Sequence, residues 1–357
     1  MLIIPFILVL YSLFILWNWL GIMSTSNFTK VPQGKGVTIL IPFHNEENNL
    51  INLWSTLHSL NGLSNEVELI FVNDYSDDNG VSILKNLINS NPLECSVKVV
   101  ESPKRGKKSS IQTGVELSQY DYILLTDADV QLHTNWLLSM LTDLQNSDLV
   151  LGSVINKKQS LTLLNLMQDS EALMLEGIKT ASINNSFPLL ASGASLGFRK
   201  DKFIASDPYA NNLNILSGDD MFLLQVAKNE GWVIRSNNNV PAETSGAKDF
   251  KSSIRQHRRW AAKTPALKMS ALTTIGVLTI LAHIGVVICL VLLTFNFNTI
   301  IVLSLVFKFL VEFLFLFSRA IIFNRLKLLF FAPIMFICYP FYLMAILFGL
   351  NKNKTNW

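Results

Sequence analysis

The chain has 357 residues, of which 50% are hydrophobic and 15% are charged, and its formal net charge is +3. This composition excludes one ordinary soluble domain, because globular proteins carry about 25% charged residues. Of the 29 basic and 26 acidic residues, six and one lie after Lys268, which leaves 23 and 25, a net charge of −2, for residues 1–268. Since a basic surface is missing there, nucleic acid is not expected as a partner.

The first predicted element is a membrane span. Residues 2–23 carry no charged side chain, and about 20 apolar residues are enough to cross a bilayer. A cleaved signal peptide would show a basic start, a shorter apolar core and a small-residue cleavage site, and no clear set of these is present. We therefore expect residues 1–29 to form an uncleaved anchor.

A soluble α/β domain is predicted over residues 30–268. Apolar runs predict strands at 37–43, 67–73, 96–102 and 121–127, with helices near 79–90 and 107–118 and one after the first strand that Asn45 would cap. Alternation of strands and helices is typical of a parallel sheet. In such a sheet, ligands bind beyond the carboxyl ends of the strands.

Polar residues gather where these strands end. The residues are Asn45 and Glu46, Asn73 and Asp74, Lys107 and Lys108, and Asp127 and Asp129. Acidic groups on one sheet edge repel each other unless a cation lies among them, and a Gly-Lys-Lys loop suits phosphate. The pattern favours a nucleotide or diphosphate ligand held through a divalent ion.

Two acidic motifs leave alternatives open. Asp127 and Asp129 lie in "LLTDADVQ", where an extended segment would place both carboxylates on one face. The same sequence is also compatible with a loop whose aspartates are solvated, or with an aspartate that caps a helix. Asp219 and Asp220 begin an amphipathic helix in "ILSGDDMFLL" (215–224). One of them would serve as a cap or first-turn acid, and the other would be a general base for an acceptor hydroxyl.

Further along, residues 161–178 predict a core or membrane-surface helix, and "SIRQHRRW" (253–260) predicts either a basic collar or a substrate contact. Three spans follow at about 270–293, 299–318 and 328–350, within residues 269–350, and residues 351–357 form a polar tail. Lys308 and Glu312 would make an internal ion pair or line an acceptor path.

Basic residues beside the spans predict the orientation in the membrane. With the N-terminus outside, one side receives three groups of cations, which leaves only the tail lysines Lys352 and Lys354 on the far side. The three groups are Lys30 and Lys35; Lys251, Arg255, Arg258, Arg259, Lys263 and Lys268; and Arg319, Arg325 and Lys327. We therefore expect a cytoplasmic catalytic domain on a multi-pass inner or plasma membrane protein.

Seven motifs in order carry a family resemblance. They are "IPFHNEE", "VNDYSDD", "GKK", "DAD", "SGAS", "GDD" and "QHRRW", within about residues 37–262. The set resembles the membrane-integrated family 2 glycosyltransferases of the processive type, which include hyaluronan, cellulose and chitin synthases and ceramide glucosyltransferase. The resemblance implies a GT-A fold, a nucleotide sugar donor, usually UDP-linked, and Mg²⁺ or Mn²⁺.

The resemblance also implies residue roles. Asp74 would bind the base, with Glu46, Pro42 and Lys107 also in the nucleotide-sugar site. Asp127 and Asp129 would bind the metal ion, with Asp129 the direct ligand, and Asp220 would be the catalytic base. Donor contacts would come from Asp127, Gln256 and Arg259. Acceptor contacts would come from Ser192, Gly193 and Trp260. Asn73 and Tyr75 depart from the family's D-D-G-S pattern.

The expected reaction is an inverting sugar transfer to a lipid or lipid-linked glycan at the membrane. Direct displacement needs a base on the acceptor and a cation on the leaving diphosphate. One alternative is a processive polysaccharide synthase, for which four spans are few, so that an oligomer or an export partner would be needed. Another is a non-catalytic membrane scaffold with a transferase-like domain.

Overall fold

The computed structural model describes residues 2–23, 36–215, 217–263, 267 and 269–350. The chain divides into two compact units. The sheet unit contains Ser26–Lys157 and Leu190–Ser245, and the membrane unit contains Met1–Thr25, Lys158–Leu189 and Gly246–Trp357. The predicted basic residues Lys30, Lys35, Lys268, Lys352 and Lys354, and the tail 351–357, lie outside the described residues.

The described part of the sheet unit contains a seven-stranded sheet in the order β3-β2-β1-β4-β6-β5-β7. Strand β6 runs antiparallel to β4 and β5, and the other neighbouring pairs are parallel. The strands are β1 (Val37–Phe43), β2 (Val67–Asn73), β3 (Ser96–Glu101), β4 (Tyr122–Leu125), β5 (Leu149–Asn156), β6 (Leu196–Arg199) and β7 (Ile234–Thr244).

Helices cover both faces of the central strands, which explains why β1 and β2 are buried along their whole length. On one face, Trp54 and Trp136 lie fully buried in a core shared with Phe71. On the other face, Gly114 lies against Leu40. The helices of this unit are α2 (Glu47–His58), α3 (Gly80–Ser90), α4 (Lys107–Leu117), α5 (Trp136–Leu144), α7 (Lys200–Ser206) and α8 (Asp219–Asn229).

Pro42 lies within β1, where a missing backbone N–H would normally break the pairing of a central strand. The neighbouring strand β4 pairs only with residues 37–40 of β1, because β4 ends at Leu125. Pro42 therefore lies beyond the paired segment on that side. Because β1 extends beyond the end of β4, the carboxyl edge of the sheet is open beside Pro42.

The membrane unit contains α1 (Ile3–Met23), α6 (Leu163–Asn184), α9 (Phe250–Lys263), α10 (Ser270–Phe295), α11 (Thr299–Ile322) and α12 (Lys327–Leu350). Within the described ranges, four of these helices, α1, α10, α11 and α12, are long and apolar enough to cross a membrane. They match the predicted spans, and α11 continues a few residues further than expected. Helix α6 packs against α1, α11 and α12, so the Leu- and Met-rich segment belongs to this unit.

The membrane unit contains the ion pair expected from the spacing of Lys308 and Glu312. The Lys308 Nζ atom lies 2.7 Å from Glu312 Oε1, and Lys308 is 1% exposed. The rings of Tyr11 and Phe336 lie 5.0 and 4.9 Å from the same ammonium. Every charge of this pair has a partner, which fits the structural interpretation rather than the lining of a path.

Candidate active site

The loops that follow β1 and β2 are bonded to each other. Asn45 donates its backbone N–H to Ser76 Oγ at 3.0 Å, and Asp77 donates its backbone N–H to Asn45 Oδ1 at 2.8 Å. Asn45 has a left-handed backbone with a φ of 57°. The prediction that Asn45 caps α2 is therefore wrong, because its amide faces the neighbouring loop and the helix begins two residues later, at Glu47.

Asp78 has a role that the sequence analysis missed. Its Oδ2 atom accepts the backbone N–H of Glu47 at 2.8 Å, and its Oδ1 atom accepts that of Gly80 at 3.0 Å. One carboxylate thus stabilises the first residues of both α2 and α3. The only sequence signal was an aspartate shortly before a helix, and its partner in α2 is distant in the chain.

Asp74 holds the loop that precedes α4. Its Oδ1 atom accepts the backbone N–H of Gly106 at 2.6 Å. Gly106 has a φ of 120°, a conformation that favours glycine. A base-binding role for Asp74 stays a prediction, and the structure adds that the same carboxylate positions the Gly-Lys-Lys loop.

The two lysines of that loop differ in their surroundings. Lys108 is 4% exposed and donates to the backbone carbonyls of Asn212 and Ile215 at 2.7 and 2.9 Å. Its ammonium also lies 4.2 Å from the centre of the Phe222 ring. Lys108 is therefore a structural lysine that holds the segment before α8, whereas Lys107 is half-buried among carboxylates.

Lys107 is the centre of the charged cluster. Its Nζ atom lies 2.6 Å from Asp127 Oδ1 and 3.3 Å from Asp219 Oδ2. Burial alone would lower the pKa of Lys107, but these two carboxylates raise it well above its ordinary value. Gly193 leaves room for this contact, because a Cβ atom there would lie 3.0 Å from Lys107 Nζ and 2.9 Å from Asp219 Oδ2. The side chain of Lys107 is thus a charged ammonium at the carboxyl edge of the sheet.

The motif Asp127-Ala128-Asp129 (the DxD motif) lies in a turn rather than in an extended segment. Strand β4 ends at Leu125, and Ala128 and Asp129 form a turn. The alternation of side chains along a strand therefore does not explain why the two carboxylates lie close together. Asp127 and Asp129 nevertheless interact: burial raises the pKa of Asp129, the charge of Asp127 raises it further, and Lys107 partly offsets both. The turn brings the two carboxylates together.

This donor set fits a divalent cation. Hard oxygen ligands suit Mg²⁺ and Mn²⁺, and the mutual repulsion at Asp129 is what a bound cation would relieve. In the part of the chain that the structure describes, no group of three or more His, Cys, Asp or Glu side chains is arranged to hold a metal ion. The remaining ligands would be diphosphate oxygens and water, as is usual for Mg²⁺.

Asp219 and Asp220 occupy the first two positions of α8, after Gly218, which has a φ of 90°. Asp219 is 7% exposed and faces Lys107. Asp220 is half-buried, and its Oδ1 atom accepts the backbone N–H of Met221 at 2.8 Å. Asp220 is the predicted base, and its neighbour Asp219 makes the contact with Lys107.

Glu46, Pro42 and Ser192 complete the predicted residues of the sheet unit. Glu46 accepts a hydrogen bond from Asn49 at 2.5 Å, and burial and the nearby charge of Asp129 raise the pKa of Glu46. Pro42 is buried in β1, and Ser192 is half-buried one residue before Gly193. Their contacts with a donor or an acceptor stay predictions.

Gln256, Arg259 and Trp260 lie together on α9, in the membrane unit. Gln256 is half-buried, whereas Arg259 and Trp260 are exposed. The structure describes the two units separately, so the role of these three residues in donor and acceptor binding stays a prediction.

His257 fixes α9 within the membrane unit. Its Nε2 atom lies 2.9 Å from Glu171 Oε2, and Tyr339 donates to Glu171 Oε1 at 2.8 Å. The rings of His257 and Trp260 have centres 5.0 Å apart. Burial would lower the pKa of His257, but the bond to the Glu171 carboxylate raises it overall. Helix α9, which carries Gln256, Arg259 and Trp260 (the Q-x-x-R-W motif), is thus bonded to α6 and α12. The sequence did not predict this contact.

Comparison with known proteins finds a family match over most of the sheet unit and over α6. Residues 38–203 match the family described as Glycosyl transferase family 2. An undecaprenyl-phosphate 4-deoxy-4-formamido-L-arabinose transferase of Proteus mirabilis is 32% identical over 107 residues, 30% of this chain. A poly-beta-1,6-N-acetyl-D-glucosamine synthase of Staphylococcus aureus is 27% identical over 99 residues, 28% of this chain. The chain spans only 32% and 23% of the length of these two relatives.

A solved structure supports the fold. The mannosyltransferase PcManGT from Pyrobaculum calidifontis, in complex with GDP-Man and Mn²⁺, is 13% identical and has a TM-score of 0.57. The likeness covers 99% of this chain and 100% of that chain. At this identity the similarity is one of fold, and it agrees with the mixed sheet and the GT-A architecture. Residues 38–203 therefore match a glycosyltransferase family 2 domain, and four of the described helices are long and apolar enough to cross a membrane.

Proposed function

We propose that the chain is an inverting glycosyltransferase that moves a sugar from a nucleotide diphosphate sugar, usually UDP-linked, to a hydroxyl of a lipid or lipid-linked glycan. The observation that carries the proposal is the position of the Lys107 ammonium between Asp127 and Asp219 at the carboxyl edge of the sheet. An ammonium at this edge can contact diphosphate oxygens, and one or two carboxylates can hold the metal ion that accompanies a diphosphate. The family match of residues 38–203 supports the reaction class.

The donor would be held by residues of the sheet unit. Asp129, assisted by Asp127, would hold Mg²⁺ or Mn²⁺, and the bound ion would neutralise charge on the leaving diphosphate. Lys107 would contact the diphosphate directly, because its ammonium is already charged and positioned. Asp74, Glu46 and Pro42 would bind the nucleoside, and Gln256 and Arg259 would add donor contacts.

The acceptor hydroxyl would lose its proton to Asp220, which begins α8. A hydroxyl needs such a base, because its own pKa is far above neutral, and general base catalysis contributes about 100- to 10,000-fold. Ser192, Gly193 and Trp260 would line the acceptor site. Gly193 supports this assignment by its contact with the charged cluster.

A membrane acceptor is supported by four described helices of the chain, which are long and apolar enough to span a membrane. The relative from Proteus mirabilis is named an undecaprenyl-phosphate 4-deoxy-4-formamido-L-arabinose transferase. The basic residues beside the predicted spans favour a cytoplasmic sheet unit. The proposed enzyme therefore works at the cytoplasmic face of the inner or plasma membrane.

A second candidate is a processive polysaccharide synthase. The Q-x-x-R-W motif on α9 favours it, as does the relative named as a poly-beta-1,6-N-acetyl-D-glucosamine synthase. Such an enzyme would need an export path, which four spans would supply only with an oligomer or a partner. A non-catalytic scaffold is the third candidate, and it would bind a nucleotide without transferring any sugar.

One experiment separates the three candidates. The purified chain is incubated with radiolabelled UDP- and GDP-sugars, a membrane lipid extract and Mg²⁺ or Mn²⁺, and the products are separated by solvent extraction, gels and mass spectrometry. The proposal expects one or a few sugars on an extractable lipid. A ladder of long products would identify a polymerase, and nucleotide binding without transfer to any acceptor would identify a scaffold. An Asp127→Asn, Asp129→Asn double variant is the inactive control.

A further inference from the structure

Two loops with proposed roles in the reaction leave the sheet at the same point. The backbone pairing of β4 with the antiparallel strand β6 ends at Leu125 opposite Leu196. Beyond Leu125 the chain continues into Thr126 and the DxD motif. The segment that leads into β6 is the loop of residues 191–195, which contains two of the proposed acceptor contacts and which we call the acceptor loop. The proposed metal and acceptor segments therefore meet at the end of one ladder.

A side-chain hydrogen bond joins these two loops where the backbone pairing stops. Thr126, directly before Asp127, is 0% exposed and donates from Oγ1 to the backbone carbonyl of Ala194 at 2.9 Å. The backbone N–H of Thr126 donates to Leu40 O at 3.2 Å, which fixes this residue to β1. Ala194 follows Gly193, the glycine that lies against the charged cluster. The bond thus connects the DxD motif with the part of the acceptor loop nearest to the cluster.

The two ends of the acceptor loop are fixed as well. Trp136, the first residue of α5, donates from Nε1 to Ser195 Oγ at 2.9 Å. At the other end, Ala191 donates its backbone N–H to the sulfur of Met221 in α8 at 3.4 Å. The acceptor loop is therefore bonded to α8, which carries the proposed base, and through Thr126 to the segment that carries the proposed metal ligands. All of these residues belong to the sheet unit.

We infer that Thr126 is a positioning residue, which holds the acceptor loop at a fixed distance from the DxD motif and so aligns the acceptor with the donor. This inference rests on the sugar transfer proposed above. Direct displacement requires the acceptor oxygen to be in line with the leaving diphosphate, and a misplacement of about 1 Å can reduce a rate about 100-fold. Thr126 acts through Asp127, which follows it in the chain, and through Gly193, which precedes its bonded partner.

A second buried threonine provides a matched control for the structural part of this role. A buried hydroxyl needs a hydrogen-bond partner in any fold, so the loss of such a bond alone destabilises a protein. Thr38 is also 0% exposed and donates from Oγ1 to Glu68 Oε2 at 2.9 Å. It lies at the amino end of β1, whereas Thr126 follows the carboxyl end of β4. Replacing either threonine by valine therefore removes a similar bond at opposite edges of one sheet.

The test is the steady-state kinetics of sugar transfer by the full chain, with the active UDP- or GDP-sugar and a membrane lipid extract varied separately. Each rate is divided by the amount of folded protein. Thr126→Val keeps the shape of the side chain and removes its hydroxyl. We expect kcat to fall about tenfold and the apparent KM for the extract to rise, with the donor KM unchanged. Thr126→Ser should recover most of the rate, and Thr38→Val should have the kcat and KM values of the wild type.

Ser195→Ala is a second variant, because it removes the bond from Trp136 to the acceptor loop. It should also lower kcat without a change in the donor KM, and it carries the test if Thr126→Val does not fold. Wild-type kinetics in Thr126→Val and Ser195→Ala, or no recovery in Thr126→Ser, would overturn the positioning role.

The donor KM separates the remaining outcomes. A donor KM that rises in Thr126→Val as much as the KM for the extract would mean that Thr126 holds the DxD motif alone, which would also overturn the inference. If the wild type itself transfers no sugar, the proposed function has failed and this inference fails with it. If the wild type transfers sugar and Thr126→Val equals it, the inference alone has failed.

Discussion

The base assignment can be tested with two neighbouring variants, Asp219→Asn and Asp220→Asn. Each replaces one carboxylate by an amide of equal size in the first turn of α8. Each also loses a similar interaction with the helix dipole, about 0.3–1 kcal/mol. Asp219→Asn also loses its contact with Lys107, so its melting temperature should fall further than that of Asp220→Asn, and the transfer rates are compared per folded protein.

The expected magnitudes differ because of Lys107. Its Coulomb interaction with Asp219 at 3.3 Å is about 5 kcal/mol at an effective dielectric constant of roughly 20, before desolvation is subtracted. The interaction with Asp127 at 2.6 Å is larger, about 6 kcal/mol on the same scale. Asp219→Asn should therefore leave the lysine bound to Asp127, raise the KM for the donor and lower kcat by no more than about tenfold.

Asp220→Asn should lower kcat by about 100-fold or more, because it removes the proposed base. The assay is the initial rate of sugar transfer at saturating donor, with the melting temperature measured on the same samples. If Asp220→Asn keeps its kcat while Asp219→Asn loses it, the base has been assigned to the wrong aspartate. If neither variant loses kcat, the acceptor needs no base, as would hold for an ionised phosphate oxygen.

Four more variants test the remaining assignments. Gly193→Ala should reduce transfer about tenfold in a kinetic assay with little loss of folded protein, because its Cβ would displace two charged groups by a few tenths of an ångström. Arg259→Ala should abolish transfer, whereas Arg258→Ala should mainly reduce the fraction recovered with membranes. Equal losses of transfer would indicate that both arginines belong to a basic collar beside a membrane span and that neither contacts substrate. The raised pKa of His257 means that its bond to Glu171 stabilises the fold fully below about pH 6.5 and less as the pH rises through the folded-state pKa. The melting temperature of the wild type should therefore fall more steeply from pH 6.5 to 8 than that of His257→Gln. Parallel plots of melting temperature against pH would contradict this.

The sequence predicted the central strands well because their pattern is local. Residues 37–43 and 67–73 are mostly apolar and are buried throughout, since helices cover both faces, and both strands have the predicted bounds. The membrane spans were predictable for the same reason, because about 20 apolar residues in a row admit few other structures. Boundaries were less certain, and β4 ended at Leu125 because the chain turns there to form the DxD loop.

The site was less predictable because its contacts join distant segments. Asn45 has a good capping sequence, yet its amide is used by the loop after β2. Asp219 and Asp220 are adjacent and chemically equal, so only the fold shows which one faces Lys107. Arg319 looked like part of a basic collar, and its burial depends on α6, which the sequence does not pair with α11.

The central claim is that a sugar moves from a nucleotide donor to a lipid in the membrane. Its most direct test is the transfer of radiolabel from a UDP- or GDP-sugar into the organic phase of a membrane extract, compared between wild type and the Asp127→Asn, Asp129→Asn double variant. We predict label in the organic phase that depends on added Mg²⁺ or Mn²⁺ and falls to background in the variant. Equal label in both proteins, or none in the wild type with every donor, would contradict the claim.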